Sequence, residues 1–177
     1  MNAILSDLRK SRGGEAEYRE TLRDHLVTVN EFTTTEVGIG KSEQAQWMRV
    51  EVYYNQPLDA GLRISPETWA AKLWKLFGTQ DVKTGDEEFD QTFLVHAASE
   101  VEVEKRLTAS ARQALLSLYR SALAKMGKKR TFEVLDNRIV FSYSAWGYDK
   151  HRPTEVEKQK LINALVDVAV AIDESCR

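Results

Sequence analysis

Three histidines and one cysteine are the side chains of this chain with the most obvious catalytic chemistry. His25, His96 and His151 are far apart along the sequence and show neither the spacing of metal ligands nor a recognisable nucleophile motif. His96 follows an apolar run at residues 93–95, so we interpret it as a strand-end residue with a hydrogen-bond partner. Cys176 lies next to the last residue, where fraying makes catalytic geometry hard to maintain. We therefore assign no catalytic residue.

A group of carboxylates could offer oxygen ligands to a hard divalent cation. The group comprises Asp81, Asp86, Glu87, Glu88 and Asp90. Its spacing lacks the alternation of an EF-hand loop, and a solvated acidic turn is the favoured interpretation. The sequence therefore predicts no metal site and no cofactor.

Residues 35–42 nearly match a phosphate-binding P-loop, in which glycine-rich backbone cradles phosphates and Lys-Ser reaches the terminal phosphate and Mg²⁺. Thr35 replaces the first glycine of that motif. The motif also needs a helix directly after Lys41-Ser42, whereas a strand pattern begins within a few residues. The segment is therefore predicted to be a hairpin turn, and nucleotide hydrolysis is rejected.

The best candidate for a binding site is the loop at residues 144–153, which contains Trp146, Tyr148, His151 and Arg152. Aromatic and arginine side chains in a loop are typical anchors of a protein interface. The alternative is a loop folded over the sheet, with Trp146 covering the core. Both interpretations stay open.

Length and composition indicate one ordinary globular domain spanning residues 1–177. The hydrophobic fraction is 42%, the charged fraction is 29% and the net charge is −2, so nothing global favours a nucleic-acid partner. The lone cysteine is compatible with a reducing compartment. Neither a signal-peptide core nor a membrane-spanning run of about 20 apolar residues is found, so we expect a soluble cytoplasmic protein without a membrane span.

Residues 1–29 are predicted to be a helical segment, in which a short and a longer helix are separated at Gly13-Gly14. The longer helix is predicted from the apolar residues at helical spacing, which are Tyr18, Leu22, Leu26 and Val29. Residues 30–177 are then predicted to form the α+β core.

Residues 30–55 predict a β-hairpin with its turn at 38–43. Alternation in the second strand places Met48, Val50, Val52 and Tyr54 towards the core, and Trp47, Arg49, Glu51 and Tyr53 on the opposite face. Ser65-Pro66 then predicts the start of a helix that ends at Gly78.

The segment from residue 84 to residue 116 combines a turn, a buried strand at 93–95 and two helices capped by Ser99 and Thr108. A hairpin follows, turning at Asp136-Asn137, with inward residues Phe132, Val134, Ile139, Phe141 and Tyr143. A capping box formed by Thr154 and Glu157 begins the terminal helix, whose stripe is Leu161, Leu165, Val168 and Ile172. Together these elements predict an α+β fold with a mainly antiparallel sheet of about five strands, amphipathic helices on one face and a long C-terminal helix.

One set of motifs resembles a group of uncharacterised bacterial domains. The motifs are Phe89-Asp90-x-x-Phe93-Leu94-Val95, then Leu107-Thr108, Arg112 and Leu115-Leu116, and later Phe132-x-Val134-x-Asp136-Asn137-x-Ile139. The resemblance covers about half of the chain, and some members are attached to membrane-spanning segments. It implies a bacterial origin and lends no activity, cofactor or catalytic residue.

A complete structural core without a coherent catalytic set predicts a non-enzymatic protein-binding or adaptor module. Its interface is expected to use the 144–153 loop and the exposed side of the strand at 47–53, with a protein as partner. One alternative is a small acidic chaperone or immunity-type protein. The other is an enzyme or small-ligand binder with a pocket between sheet and helices, where His96, His151 and the Asp86/Asp90 turn would converge. Neither substrate class nor oligomeric state follows from the sequence.

Overall fold

The computed structural model describes residues 9–10, 16–38, 41–58, 61–66, 82–120, 129–146 and 153–175. Within these ranges the strands are β1 (Arg9–Lys10), β2 (Ala16–Leu22), β3 (His25–Gly38), β4 (Lys41–Tyr53), β5 (Arg63–Pro66), β6 (Phe93–His96), β7 (Lys129–Leu135) and β8 (Arg138–Trp146). The helices are α1 (Glu87–Thr92), α2 (Glu100–Arg106), α3 (Ala109–Leu118) and α4 (Glu155–Glu174).

The described strands form one sheet in the order β1-β2-β3-β4-β8-β7-β5-β6, and all neighbours are antiparallel. The predicted α+β class, antiparallel sheet and long C-terminal helix are confirmed. The sheet has more than the five or so strands expected, because the N-terminal residues contribute β1 and β2 to its edge.

The predicted N-terminal helical segment is wrong where the structure describes it, because Ala16–Leu22 and the residues from His25 onward are strands. Tyr18 and Leu22 are four residues apart, a spacing that puts them on one side of a helix and equally on one face of a strand. Pairing with β3 selects the strand, since Tyr18 lies opposite Val29 and Leu22 opposite His25. The predicted break at Gly13-Gly14 lies outside the described residues.

The core lies on one face of the sheet because the strand register places apolar side chains in line. Val50 pairs with Val29 on one side and with Phe141 on the other, and Phe141 pairs with Phe132. The predicted inward residues are all buried, namely Met48, Val50, Val52, Tyr54, Phe132, Val134, Ile139, Phe141 and Tyr143. The hairpin turn at Asp136-Asn137 is also confirmed.

Helix α4 covers this core face and contacts β3, β4 and β8. It begins with the predicted capping box, in which the Thr154 hydroxyl accepts from the Glu157 N–H and the Glu157 carboxylate accepts from the Thr154 N–H. The predicted stripe of Leu161, Leu165, Val168 and Ile172 is buried. The helix therefore fixes one wall of the molecule against the central strands.

The segment around β6 has the predicted strand and the two predicted capped helices, and it also contains α1, which was not predicted from the sequence. Ser99 caps α2 and Thr108 caps α3, each accepting a backbone N–H through its side chain. The helix predicted to start at Ser65-Pro66 is wrong at its first residues, which extend β5 and pair with Leu94 and Phe93. A proline at the end of a short strand is tolerated there, and residues 67–81 lie outside the described part of the chain.

Candidate functional site at the outer face of strand β4

The side of the sheet opposite the core is here called the outer face. On β4 it carries Trp47, Arg49, Glu51 and Tyr53, as the alternation of the sequence predicts. Its neighbours on β3 and β8 follow from the register, in which Phe32 pairs with Trp47, Thr28 with Glu51, Tyr53 with Arg138 and Glu51 with Val140. The outer face is therefore aromatic at one end and charged in the middle.

The aromatic end is a stacked pair. The ring centroids of Phe32 and Trp47 are 6.3 Å apart and their planes differ by 8°. The indole N–H of Trp47 donates to the Thr34 hydroxyl over 2.9 Å, which fixes the ring in its orientation. Both rings are partly exposed. They form a flat apolar surface whose polar atom is already hydrogen-bonded, a combination that suits contact with another molecule.

A cleft of about 340 Å³ opens at the same end of the sheet but on its core-facing side, where β3 and β4 meet the start of α4. Its lining consists of Glu31, Phe32, Thr33, Gln46, Trp47, Met48, Tyr143, Pro153, Glu155 and Lys158. That volume is at the small end of the range for ligand pockets. The cleft could accept one side chain of a partner or a small molecule.

Lys158 is the cation of the cleft. Its ammonium group lies 2.6 Å from a Glu31 carboxylate oxygen and 3.0 Å from one of Glu155. Burial lowers the pKa of Lys158, but the hydrogen bonds to Glu31 and Glu155 outweigh that effect and the net pKa is raised. One cation therefore stands between two carboxylates, and these three groups together carry an excess of one negative charge.

The middle of the outer face is a charged cluster around Glu51, which is buried although it faces away from the core. Arg49 Nη2 lies 2.8 Å and Arg138 Nε 3.5 Å from Glu51 Oε1. The Tyr53 hydroxyl donates to Glu51 Oε2 over 2.7 Å. Burial of Tyr53, together with this bond to a carboxylate, raises the pKa of its phenol.

The predicted binding residues lie at the end of β8 and beyond it. Trp146 is the last residue of β8, and its backbone pairs with Ala45. The described part of the structure does not include the side chain of Trp146 or residues 147–152. Tyr148, His151 and Arg152 are among those residues. Both ends of that loop are described. Ser144 pairs with Trp47 across β4 and β8, and Pro153 lines the cleft. The structure thus places both described ends of this segment at the same end of the sheet as Trp47.

The carboxylates of the competing constellation are engaged in local structure. Asp90 accepts from the Thr84 N–H over 3.0 Å, the Thr84 hydroxyl over 2.9 Å and the Gly85 N–H over 3.2 Å. Asp86 caps α1 and also accepts from Arg112. Within the described ranges, no group of three or more His, Cys, Asp or Glu side chains could hold a metal ion.

The two described histidines occupy different parts of the sheet. His96 is the last residue of β6 and pairs with Arg63 of β5, as a strand-end interpretation expects. His151, the third member of the predicted constellation, lies outside the described residues.

A buried His–Asp contact, which the sequence did not indicate, joins β3 to α4. His25 Nε2 lies 2.9 Å from Asp173 Oδ2, and Nδ1 lies 2.7 Å from the carbonyl oxygen of Arg23. The Asn55 N–H donates to the same Asp173 oxygen over 3.0 Å. Because both ring nitrogens are engaged in these contacts, the imidazole ties the helix to the sheet. No local spacing could have indicated this contact, since the partners lie near opposite ends of the chain.

Comparison with models of protein families, with curated proteins and with solved structures gives no match. Among the helices that the structure describes, none combines the length and the apolar character needed to cross a membrane.

Proposed function

We propose that this chain is a non-enzymatic protein-binding module whose interface is centred on Trp47 and the 144–153 loop. The observation that carries the proposal is their convergence, because Trp47 pairs with Ser144 at one end of the loop and shares the cleft with Pro153 at the other. Trp47 and Ser144 are 97 positions apart in the sequence, and strand pairing brings them together at one end of the sheet.

The chemistry of this surface supports a protein partner. Trp, Tyr and Arg side chains dominate the residues that contribute most to binding free energy at protein interfaces. Here the Phe32–Trp47 stack provides rigid apolar area on the outer face, and the cleft on the other side of the same sheet end provides a separate recess for a side chain. A rigid aromatic surface loses little conformational entropy on binding.

The ionisable side chains described at this surface support binding rather than catalysis. Lys158 is held between Glu31 and Glu155, and Glu51 contacts two arginines and Tyr53. Each group stabilises its neighbours. The proposal further places the protein in the cytoplasm of a bacterium, with the lone cysteine and the motif resemblance as support.

Photo-crosslinking tests the proposal. A photoreactive amino acid is introduced at Gln46, an exposed position on the rim of the cleft, and for comparison at Glu104, which is exposed on α2. Cells that produce the chain are irradiated. We expect a protein adduct from position 46 and not from position 104.

The partner identified in this way is then titrated against variants. Trp47→Ala is expected to weaken binding about 30-fold, the effect of losing a dominant interface residue, and Trp146→Ala with Tyr148→Ala tests the loop. Leu26→Ala is the matched control, since Leu26 is 41% exposed at the other end of the outer face. Unchanged affinity of folded Trp47 and loop variants would contradict the proposed interface.

The cleft itself favours a second candidate, a binder of small cationic ligands. The excess of one negative charge in the group formed by Lys158, Glu31 and Glu155 would attract a cation. This candidate predicts that a small organic ammonium ion raises the melting temperature of the wild type but not of Glu155→Gln. Equal behaviour of the two chains excludes it.

A further inference from the structure

Two arginines on neighbouring strands converge on one carboxylate oxygen at the outer face. Arg49 of β4 and Arg138 of β8 both contact Glu51 Oε1, over 2.8 Å and 3.5 Å. The Arg138 guanidinium also lies over the Tyr53 ring, with its central carbon 5.8 Å from the ring centroid. The two guanidinium groups are therefore close to each other and fixed in position.

This cluster has one positive charge more than its carboxylate can neutralise. Glu51 is the only acid in it among the described residues, and its second oxygen already accepts from Tyr53. Elsewhere on the outer face the described pairs are balanced, since Arg63 meets Glu133 at 2.5 Å and Arg19 meets Glu17 at 2.6 Å. Among the described ion pairs of the outer face, the surplus of positive charge is therefore found at Arg49 and Arg138.

The donors of the cluster also exceed its acceptors. The Nε atoms of Arg49 and Arg138 are buried and neither makes a hydrogen bond. Arg138 Nε is within ion-pair distance of Glu51 but lacks hydrogen-bond geometry. Buried donors without an acceptor are rare and cost free energy, so the two guanidinium groups are incompletely satisfied by their described neighbours.

The cluster is accessible and adjoins the aromatic surface. The Arg49 side chain is 42% exposed and that of Arg138 is 28% exposed. Arg49 lies two residues from Trp47 on the same face of β4, a distance of about 7 Å. A ligand lying along β4 would contact both.

We infer that Arg49 and Arg138 bind a carboxylate group presented by an acidic segment of the protein partner. The inference rests on the proposed function and names the chemistry of the partner. A carboxylate matches the planar fork of a guanidinium group. A densely charged phosphate polymer fits less well, because Glu51 and Glu133 lie on the same face and the chain has a net charge of −2.

A model peptide tests the inference with the full chain. The probe is an acetylated and amidated hexapeptide with alternating valine and aspartate, and its control carries asparagine in place of aspartate. Binding is followed by NMR through the Nε–H signals of the arginine side chains. We expect the aspartate peptide to shift the signals of Arg49 and Arg138, and added salt to weaken the binding.

Charge variants distinguish recognition from a merely structural role. Glu51→Gln removes the internal competitor and is expected to tighten peptide binding about threefold to fivefold, whereas Arg49→Gln weakens it by a similar factor. Arg49→Lys keeps the charge and loses the fork, so intermediate binding is expected. Arg19→Gln is the matched control, because Arg19 lies on the same face in a balanced pair, and it should bind as the wild type does.

Several results would overturn the inference. The first two are equal affinity for the asparagine and aspartate peptides, and an equal loss of affinity in Arg19→Gln and Arg49→Gln. Two more are unchanged affinity in folded Glu51→Gln, and no shift of the arginine signals at millimolar peptide. The last is tighter binding of a thymidine hexanucleotide than of the aspartate peptide. If Trp47→Ala still abolishes partner binding, the proposed function stands while this inference fails. If instead the peptide behaves as expected and no protein crosslinks at position 46, the carboxylate site stands without the proposed function.

Discussion

Glu51 is a buried carboxylate on the face of the sheet that points away from the core, and it is tolerated there because its neighbours neutralise it. Arg49 and Arg138 supply the charge, and Tyr53 and Thr28 supply hydroxyl groups at 2.7 Å and 3.5 Å from Oε2. A buried charge without such partners would be strongly destabilising. The stability of this region therefore depends on individual polar contacts.

Tyr53→Phe is expected to lower the free energy of unfolding by about 1 kcal/mol, since it removes one hydrogen bond to a buried carboxylate. The pKa of Tyr53 is raised in the folded state, so its neutral form is favoured there. Its contribution to stability is then complete below about pH 10 and is lost as the pH rises through the folded pKa. Urea unfolding at about pH 8 and about pH 11 should show the difference between the two proteins shrinking at the higher pH. A difference that grew with pH would contradict this.

His25→Leu is expected to cost about 2–4 kcal/mol, because it leaves the carboxylate of Asp173 beside an apolar side chain. The adjacent residue provides the control. Leu26 points to the other face and is 41% exposed, so Leu26→Ala should change stability by less than about 0.5 kcal/mol. Equal effects of the two substitutions on chemical unfolding would show that the His25 contact contributes little.

At the scale of the elements, the β2–β3 hairpin turns through Arg23 and Asp24, which have φ angles of 49° and 67°. Such left-handed backbone favours glycine, and a β-branched side chain is strained there. Asp24→Gly should therefore leave stability unchanged or raise it by about 0.5 kcal/mol, while Asp24→Val should lower it by about 1–2 kcal/mol. Thermal unfolding of both variants checks the ranking, and Arg23 is kept because it pairs with Asp167 of α4. A more stable valine variant would contradict the turn geometry.

Local sequence signals predicted the starts of α2, α3 and α4 well, whereas the N-terminal strands were determined by pairing between strands. Ser99, Thr108 and Thr154 cap helices where the sequence indicated them, because a cap depends on residues three positions apart. The N-terminal strands were missed, since Tyr18 and Leu22 fit a helix and a strand equally and Arg23-Asp24 lacks the usual glycine of a hairpin turn. Pairing with β3 selects between the two, and pairing is not a local property.

The candidate site could be predicted only in part for the same reason. Alternation placed Trp47, Arg49 and Tyr53 on the outer face correctly. It could not show that Glu51 is buried, because its burial and neutralisation depend on Arg138, which β8 brings alongside from far along the chain. Nor could it place Trp47 beside both ends of the 144–153 loop.

At the scale of the whole molecule, polar contacts along most of α4 join this helix to β3 and to the turn between β2 and β3. Lys158 meets Glu31 near the first turn, Asp167 meets Arg23, and Asp173 meets His25 near the last turn. Between them the apolar stripe of α4 packs on the core face of the sheet. The position of α4 is therefore fixed at both ends, and the contact at its first turn also fixes the cleft between the helix and the sheet.

Lys158→Met tests whether the contact between Lys158 and Glu31 holds the start of α4 on the sheet. Because Glu31 and Glu155 raise the pKa of Lys158 above its usual value despite burial, the charged form is favoured in the folded state. Its stabilisation is complete below about pH 10.5 and is lost as the pH rises through the folded pKa. We expect the variant to be less stable by about 1 kcal/mol at neutral pH, and we expect this deficit to shrink in strongly alkaline solution.

Lys160→Met is the control, since Lys160 is exposed on the same helix, and it should change stability by less than about 0.5 kcal/mol at every pH. Urea unfolding across the alkaline range measures both variants against the wild type. If Lys158 fixes the helix start, its loss should also weaken partner binding more than the Lys160 substitution does, because the cleft wall at Glu155 moves with the first turn. A Lys158 deficit independent of pH would show that the lysine acts through packing alone.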